Sequence, residues 1–323
     1  MRRRQFLSLL GGAATGAAAS AWPMRSWAAK VARVGIIDDG SDWEPFHQEM
    51  RELNYVQGRN IAFEYRRTDG VPDRLTAAAE ELTVMPVDVI VVFGTPAAKA
   101  AQRATKSIPI VAISGGDPVA AGLVENFAHP GGNITGNTIL SADVVTKRLQ
   151  VLRDAIPAAA NVAFLWNPNN VSSVAVLNEL WGTTPFFGMK LTPLEARSAD
   201  DFPRVFGQMS SQPPDAVLTT NDALHQMHIT KVIDFLPKSR IPGMFQLRQN
   251  VIDGGLMSYG TSASDLFRRG ARYVDKILRG VNPGDLPIEQ PASFGLVINM
   301  KTARAIGLQV PASLLARADE VIE

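Results

Sequence analysis

From Val31 onward, short runs of β-branched and apolar residues alternate with longer stretches whose apolar residues recur at helical spacing. This alternation predicts strands at Val31–Ile37, Ile61–Tyr65, Val87–Phe93 and Ile108–Ile113, with helices between them. The run Val87–Phe93 is apolar along almost its whole length, which is typical of a strand buried on both faces. This part of the chain therefore predicts a parallel sheet covered by helices on both sides.

The same alternation of strand-like and helix-like stretches begins again after Gly136. It predicts helices near Asp143–Ile156, near Ser172–Trp181 and up to Leu236, and strands at Asn161–Trp166, Met189–Glu195, Ala216–Thr219, Ile241–Phe245 and Gly255–Tyr259. A further helix is predicted near Ser264–Arg279. Two βα arrays in one chain predict an α/β protein built from two doubly wound parallel-sheet lobes.

Proline- and glycine-rich stretches mark where the chain is expected to cross between these lobes. They are His129–Asn133 and Val281–Asp285. We expect residues 29–140 plus 262–285 to form the N-terminal lobe, and residues 141–261 plus 286–323 to form the C-terminal lobe, joined by hinge crossovers.

Composition narrows the class of protein. A chain of 323 residues is too long for one compact core, and its 46% hydrophobic content excludes general disorder. The 32 basic residues are balanced by 31 acidic ones, so no nucleic-acid partner is expected. There is no cysteine, which excludes disulfides, thiolate metal sites, cysteine nucleophiles and a lipid-modified N-terminal cysteine.

The first 28 residues have the organisation of an export signal. Three arginines, Arg2–Arg4, precede an apolar stretch from Phe6 to Trp22 and a small-x-small pattern ending at Ala28. The run Arg3–Leu7 resembles the twin-arginine signature, although plain secretion stays open. The apolar stretch is shorter than the roughly 20 residues of a membrane span. We expect cleavage near Ala28 and a soluble periplasmic protein without stable membrane insertion.

In open α/β sheets, ligands bind at the carboxyl ends of the strands, so the loops there are the candidate site. After the first strand, Asp38, Asp39 and Ser41 form an acidic loop that is either a clamp for a cationic or aromatic group or a solvated turn. After the third, Thr95 is predicted to cap a helix that begins at Pro96. The N–H groups of such a helix start attract a carboxylate, the alternative being a purely structural cap.

Three further loops have suitable chemistry. Ser114–Pro118 supplies a hydroxyl and a carboxylate, Trp166–Asn170 supplies an indole and three amides, and Thr219–Asp222 supplies Asp222 as a counter-charge for a ligand amine. A fourth, Ser258–Gly260, places the Tyr259 phenol where one lobe returns to the other. The alternative for Trp166–Asn170 is an ordinary turn, and for Thr219–Asp222 it is a helix cap. For Ser258–Gly260 it is a buried tyrosine.

Catalytic and cofactor patterns are scarce. The chain has no Gly-x-Ser-x-Gly, no P-loop, and no glycine-rich dinucleotide turn after its first mature strand. His225 and His228 share one helix face, but without a third ligand they predict surface histidines rather than a metal site. We expect a binding protein without cofactor or metal, not an enzyme.

In order and spacing, several segments resemble the ABC-sub-bind family of ABC transporter substrate-binding proteins, which have the type I periplasmic binding protein fold and include tryptophan-binding members. The resemblance covers nearly the whole chain. It lies in Arg2–Ala14, Leu53–Ile61, Gly94–Ala98, Gly116–Val119, His129–Gly136, Asn167–Asn170, Gly255–Gly260 and Pro311–Ile322.

The resemblance implies a two-lobed clamp that closes on a small molecule and delivers it to a membrane permease with a separate ATPase. Position by position, it implies a ligand carboxylate at Thr95, Pro96 and Ala97, with Ser114 and Asp117 on the same wall. From the other lobe it implies Asn167, Asn221, Asp222 and Tyr259. Tryptophan-type relatives have Thr-Asp-Asn where this chain has Thr220-Asn221-Asp222. An amino acid, an aromatic acid and another small carboxylate therefore all stay open as ligands.

Two other functions stay open on the sequence. A sensory receptor subunit has the same two-lobed organisation but presents its liganded form to a kinase. A folded enzyme exported by the twin-arginine route is the second alternative, against which the lack of a cofactor fingerprint argues.

Overall fold

The structure, a computed structural model, describes residues 31–323 apart from Asp39, Gly70, Leu140 and Ala292. The predicted signal, residues 1–28, lies outside this range. The first lobe contains strands β1 (Ala32–Asp38), β2 (Ile61–Arg67), β3 (Val89–Phe93), β4 (Ile110–Gly115) and β5 (Ile134–Thr138). Its helices before the first crossover are α1 (Glu44–Glu52), α2 (Pro72–Val84) and α3 (Gly94–Ala104).

Among the described residues, these five strands form one parallel sheet in the order β2-β1-β3-β4-β5. Every residue of β3 is buried, because helices cover both faces of the sheet. One core packs on each face. β5 was not predicted as a strand, since the sequence of Ile134–Thr138 is half polar. Its polar side chains bond buried backbone groups: Asn137 accepts from the Ser114 N–H, and Thr138 donates to the Gly115 carbonyl.

The second lobe begins with α4 (Ser141–Ala155) and β6 (Asn161–Trp166). The elements that follow are α5 (Val171–Thr183), β7 (Lys190–Glu195), α6 (Phe202–Ser211), β8 (Ala216–Thr219), α7 (Ala223–Met227), α8 (Ile229–Lys238), β9 (Gly243–Phe245), α9 (Arg248–Ile252) and β10 (Met257–Gly260). After a return to the first lobe through α10 (Ala263–Leu278), the chain adds β11 (Gly295–Asn299), α11 (Met300–Ile306), α12 (Ala312–Leu315) and β12 (Glu320–Ile322). Short 3₁₀ turns lie at Thr184–Phe187, Ala199–Asp201 and Pro283–Asp285.

The second sheet has the order β12-β11-β10-β9-β8-β6-β7 within the described residues. Its strands are parallel except that β11 pairs antiparallel with β10, with Met257 opposite Ile298. The tail strands β11 and β12 were not predicted, so the expectation of parallel pairing throughout is wrong at this edge. The predicted α/β class with two doubly wound lobes is confirmed.

Three crossovers join the lobes, after Ile139, after Gly260 and before Gly295. Helix α10 belongs to the first lobe, where Phe267 packs against Phe93 with their rings stacked. Leu286 and Ile288 also lie in the cores of the first lobe. The third crossover therefore falls between Glu289 and Gly295, a few residues later than the boundary at residue 285 that the sequence indicated.

None of the described helices combines the length and the apolar character that crossing a membrane requires.

Candidate functional site

A cleft lies where the carboxyl ends of the two sheets meet. Its inner part is a cavity of about 20 Å³, lined by Phe93, Thr95, Ser114 and other residues of the first lobe, and by residues of the second lobe such as Ser172 and Asn221. This volume holds roughly one water molecule. The described lining residues include hydroxyls and amides but no charged side chain. The inner cavity therefore combines uncharged polar groups with apolar side chains.

An outer cavity of about 300 Å³ adjoins it and shares Phe93, Asn221 and Ala223 with the inner one. Its walls include Ser41 from the loop after β1 and Phe267 from α10, facing residues of α7 and α9. A volume of this size is at the lower end of the range for small-molecule sites. Of the predicted acidic loop, Ser41 thus lines the cleft, while Asp39 lies outside the described residues.

Thr95 lies at the start of α3 but does not cap it. The helix begins one residue earlier, at Gly94, whose positive φ of +77° makes the sharp turn out of β3, and Phe93 occupies the N-cap position. The prediction that Thr95 caps a helix starting at Pro96 is therefore wrong. The Thr95 hydroxyl instead accepts from the Gly116 N–H at 3.0 Å, because the loop after β4 passes directly beside it.

Two hydrogen bonds join the lobes across the inner cavity. The hydroxyls of Thr95 and Ser172 are 2.8 Å apart, and the Asn221 amide donates to the Ser114 hydroxyl at 3.1 Å. Ser114 has a left-handed backbone (φ +58°) and is held by the Asn137 side chain, which accepts from its N–H. These contacts bring three of the predicted residues, Thr95, Ser114 and Asn221, to one point.

Gly116 of the first lobe lies directly against Ser172 of the second. A Cβ atom at this position would lie 2.3 Å from the Ser172 hydroxyl oxygen and 2.8 Å from its Cβ. Only a residue without a side chain permits this contact. The arrangement of the lobes in this structure therefore depends on glycine at position 116.

Asn221 presents an unused acceptor to the cleft. Its N–H is held by the Gln246 side chain at 2.9 Å, and its Nδ2 bonds Ser114. Its Oδ1 is buried and has no hydrogen-bond partner. A donor group of a ligand would satisfy this atom.

Asp222, by contrast, is directed into the second lobe. Its carboxylate caps α7 by accepting from the His225 N–H, and it also accepts from the side-chain amides of Asn167 and Asn170. Asp222 is 2% exposed and does not line either cavity. This geometry matches the helix-cap alternative for Asp222. Asn167 stabilises the capping carboxylate by donating a hydrogen bond to it.

The other predicted residues lie at different distances from the cleft. Pro96 lines the inner cavity, whereas Ala97, also on α3, is buried in a core of the first lobe. Asp117 is exposed and accepts from the N–H groups of Val119 and Ala120, so its carboxylate closes a turn. Tyr259 is half-buried, stacks on Phe294 and lies outside the lining of both cavities.

Several residues of the inner cavity were missed by the sequence analysis. Ser172 lies in the first turn of α5, capped by the Asn170 side chain, and Gln246 directly follows β9. Gln246 can be identified from the sequence because it is the residue directly after a predicted strand. Ser172 has no such signal, because its contact with Thr95 depends on how the two lobes are arranged.

The histidine pair also differs from expectation. His225 is fully buried, and its Nε2 lies 3.1 Å from the Ala196 carbonyl, so the prediction of two surface histidines is wrong for this residue. His228 packs edge-on against Phe202, and burial lowers its pKa. The described residues contain no group of three or more metal-ligating side chains that are placed to hold an ion.

Comparison with known families identifies the class. The model for the ABC transporter substrate binding protein family matches residues 42–322. The chain belongs to this family, as its resemblance indicated. The fold is that of type I periplasmic binding proteins, which its structural neighbours share.

Three similar proteins have informative descriptions. A tyrosine-binding protein from Clostridioides difficile (strain R20291) is 24% identical over 265 residues, which are 82% of this chain and 76% of that protein. The ABC domain from Streptococcus pneumoniae in complex with L-Trp is 22% identical, with a TM-score of 0.83 over 90% of this chain and 99% of that one. A ligand-free, open structure of a substrate binding protein with adhesive properties from Clostridium difficile is also 22% identical, with a TM-score of 0.62 over the same shares.

Proposed function

We propose that this protein is the periplasmic solute-binding component of an ABC importer, and that it captures a small carboxylate between its two lobes. The observation that supports this most strongly is the pair of hydrogen bonds across the cleft, Thr95 to Ser172 and Asn221 to Ser114. A protein that couples binding to lobe closure needs such groups on opposite walls, because a ligand shifts the equilibrium only by contacts that differ between the two states.

The TM-scores to two similar structures support the interpretation of this structure as the closed form. At equal identity and coverage, the chain agrees better with the tryptophan complex (TM-score 0.83) than with the open, ligand-free relative (0.62). The difference is of the kind that a rigid-body movement of two lobes produces, since the fold within each lobe is unaffected by it.

A carboxylate is the ligand class that the cleft and the relatives favour together. Helix α3 begins at the cavity, so its first N–H groups and its dipole favour an anion there. Two of the similar proteins are described with tyrosine and L-Trp, which both carry a carboxylate. We assign the body of the ligand to the outer cavity, beside Ser41 and Asn221. Only its carboxylate end reaches the small inner cavity, whose candidate contacts are Thr95, Pro96, Ser114, Ser172 and Gln246.

Export and delivery complete the proposal. The N-terminal signal places the mature chain in the periplasm, and the liganded clamp passes its cargo to a permease driven by a separate ATPase. Mass spectrometry of the periplasmic fraction should find a chain that starts near residue 29. A full-length chain retained in the cytoplasm would contradict the export step.

The direct test is a thermal-shift screen of residues 29–323 after unfolding and refolding, which removes any bound ligand. The panel contains L-tyrosine, L-tryptophan, 3-phenylpropionate, indole-3-acetate, short carboxylates, sugars and polyols. A ligand at 100 times its dissociation constant should stabilise the protein by about 2.7 kcal/mol, a shift of a few degrees. Stabilisation by sugars or polyols alone would contradict the carboxylate assignment, and silence of a folded sample would contradict the function.

A further inference from the structure

An arginine lies inside the second lobe without a counter-charge. Arg148, in the middle of α4, is 1% exposed, and its Nε donates to the Tyr259 carbonyl at 2.7 Å. No ion pair among the described residues includes it. Burial lowers the pKa of Arg148 to about 9, so the side chain is still a cation at neutral pH.

This environment is unfavourable for an arginine in the absence of a further partner. Its Nη2 is buried and makes no hydrogen bond. Buried cations are almost always paired, because removing a charge from water costs several kcal/mol unless an opposite charge and hydrogen bonds offset it. One backbone carbonyl does not supply that, which points to a partner beyond the described residues of the chain.

The register of the second sheet places Arg148 beside the cleft. Ser258 pairs with Phe245, Leu218 with Met244, and Leu165 with Thr219. The pair Leu218–Met244 sets Thr219 opposite Phe245, so Ser258, Phe245, Thr219 and Leu165 form one row. The next row, at the carboxyl edge of β10, β9, β8 and β6, is therefore Tyr259, Gln246, Thr220 and Trp166. Gln246 and Thr220, in the middle of this row, line the inner cavity.

The row faces the same side of the sheet as α4. Met257 and Leu218, two residues before Tyr259 and Thr220, lie in one core cluster with Val145 and Leu149, which flank Arg148 on the helix. Arg148 bonds the Tyr259 end of the row, one strand from Gln246. Adjacent strands are about 4.8 Å apart, so the guanidinium lies behind the cavity wall rather than deep in the lobe.

Two more unsatisfied groups lie in this row. The Trp166 Nε1 and the Thr220 hydroxyl are buried and have no partner. The Arg148 Nη2 and the indole N–H can only donate, and a carboxylate can only accept. A carboxylate is therefore the group whose chemistry complements this set, and its bonds to arginine are among the strongest hydrogen bonds in proteins.

We propose that Arg148 is the counter-charge for the carboxylate of the bound ligand, which enters the second lobe between Thr220 and Gln246. This assignment rests on the proposed function and deepens it, because it makes the second lobe, and not only the start of α3, the wall that selects for an acid.

The test compares acids with their neutral amides on three proteins. The probes are 3-phenylpropionate and its amide, indole-3-acetate and its amide, and L-tyrosine and L-tyrosinamide, and binding is measured by thermal shift and calorimetry. The proteins are the wild type, Arg148→Met and Lys147→Met. Lys147 is the matched control, since it is the preceding cation on α4 and bonds only Gln150 at the surface.

At least one acid should bind the wild type and Lys147→Met at least tenfold more tightly than its amide. Arg148→Met should lose that preference. Its ligand-free melting temperature should equal or exceed that of the wild type, since methionine fills similar space and removes an unpaired buried charge. Arg148→Lys, which keeps the charge, should retain part of the preference for the acid.

Three results would overturn the proposal. One is an acid preference that survives in Arg148→Met, and another is the absence of any acid preference in the wild type. The third is a fall of several degrees in the ligand-free melting temperature of Arg148→Met, which would make Arg148 a structural support for the Tyr259 carbonyl. If neutral ligands bind and acids do not, the role of Arg148 is contradicted while small-molecule binding stands. If no ligand binds, the role of Arg148 and the proposed function are both contradicted.

Discussion

The hydroxyl of Thr95 in the first lobe lies 2.8 Å from the hydroxyl of Ser172 in the second. Thr95 is at the start of the helix that follows β3 and Ser172 at the start of the helix that follows β6, so the pair joins a helix start of one lobe to a helix start of the other. In the proposed mechanism, opening of the lobes breaks this contact. It is therefore both a part of the candidate ligand site and an indicator of closure.

Gly116→Ala should prevent closure without unfolding either lobe. The new methyl group would lie within 3 Å of the Ser172 side chain, while the backbone of Gly116 needs no left-handed conformation. We expect at least a tenfold loss of ligand affinity, measured by calorimetry, with little change in melting temperature.

The matched control adds Gly116→Ala to a Ser172→Gly background, which already lacks the atoms with which the methyl group clashes. The double variant should bind nearly as well as Ser172→Gly alone. A further tenfold loss in that background would show that the effect arises within the first lobe, and not from the approach of the two lobes.

Thr95→Val should weaken ligand binding by roughly 1 to 3 kcal/mol, the cost of leaving buried polar groups unsatisfied. The Gly116 N–H and the Ser172 hydroxyl both lose their partner in this variant. Thr95→Ser retains the hydroxyl and should bind nearly as well as the wild type. Equal affinity of the valine variant and the wild type would contradict a role for this hydroxyl in the closed state.

Asp222→Asn should lower the free energy of unfolding by roughly 1 to 3 kcal/mol, because an amide group would then face the amides of Asn167 and Asn170. Denaturant titration measures this loss. Asp117→Asn, in an exposed turn, is the control and should change little.

The same variant distinguishes the two roles considered for Asp222. As a helix cap it affects amine-bearing and amine-free ligands alike. A loss confined to L-tyrosine and L-tryptophan, with 3-phenylpropionate unaffected, would restore Asp222 as the counter-charge for a ligand amine.

Acid should remove a stabilising contribution from Asp201. Hydrogen bonds from Arg204, and then from the Arg197 and Ser198 N–H groups, lower the pKa of Asp201 from 3.8 to about 2. Since the folded-state pKa is lower than the unfolded one, the contribution is fully present above about pH 4 and is lost as the pH falls towards 2.

Asp201→Asn should therefore be less stable than the wild type at pH 7, by up to about 1 kcal/mol for this partly exposed pair, and equal to it near pH 2. Denaturant titrations at several pH values check this. Asp200→Asn, at the exposed neighbour, should follow the wild type throughout. A constant difference between Asp201→Asn and the wild type across the pH range would contradict the assignment.

The sequence predicts the fold wherever an element is determined by its own pattern. Val89–Phe93 is recognisable because both faces of β3 are buried. β11 escapes prediction because it lies between β10, with which it pairs antiparallel, and β12, and the contact with β10 joins distant parts of the chain. β5 escapes because its polar residues are satisfied by the neighbouring strand and loop.

The same limit applies to the site. Positions that follow a strand, such as Thr95 and Asn221, are predictable from topology alone. Whether a side chain there faces the cleft is not, as Asp222 demonstrates by turning inward to cap α7. The partnership of Thr95 with Ser172 depends on the closed arrangement of the lobes, and Arg148 becomes conspicuous only when its burial and missing partner are known.

Small-angle X-ray scattering of residues 29–323, with and without a saturating concentration of the best ligand from the screen, tests the central claim most directly. We predict that the ligand decreases the radius of gyration, and that the scattering curve of the complex matches the curve calculated from this closed structure. Identical curves in the two states, with binding verified by calorimetry, would contradict capture by closure of the two lobes.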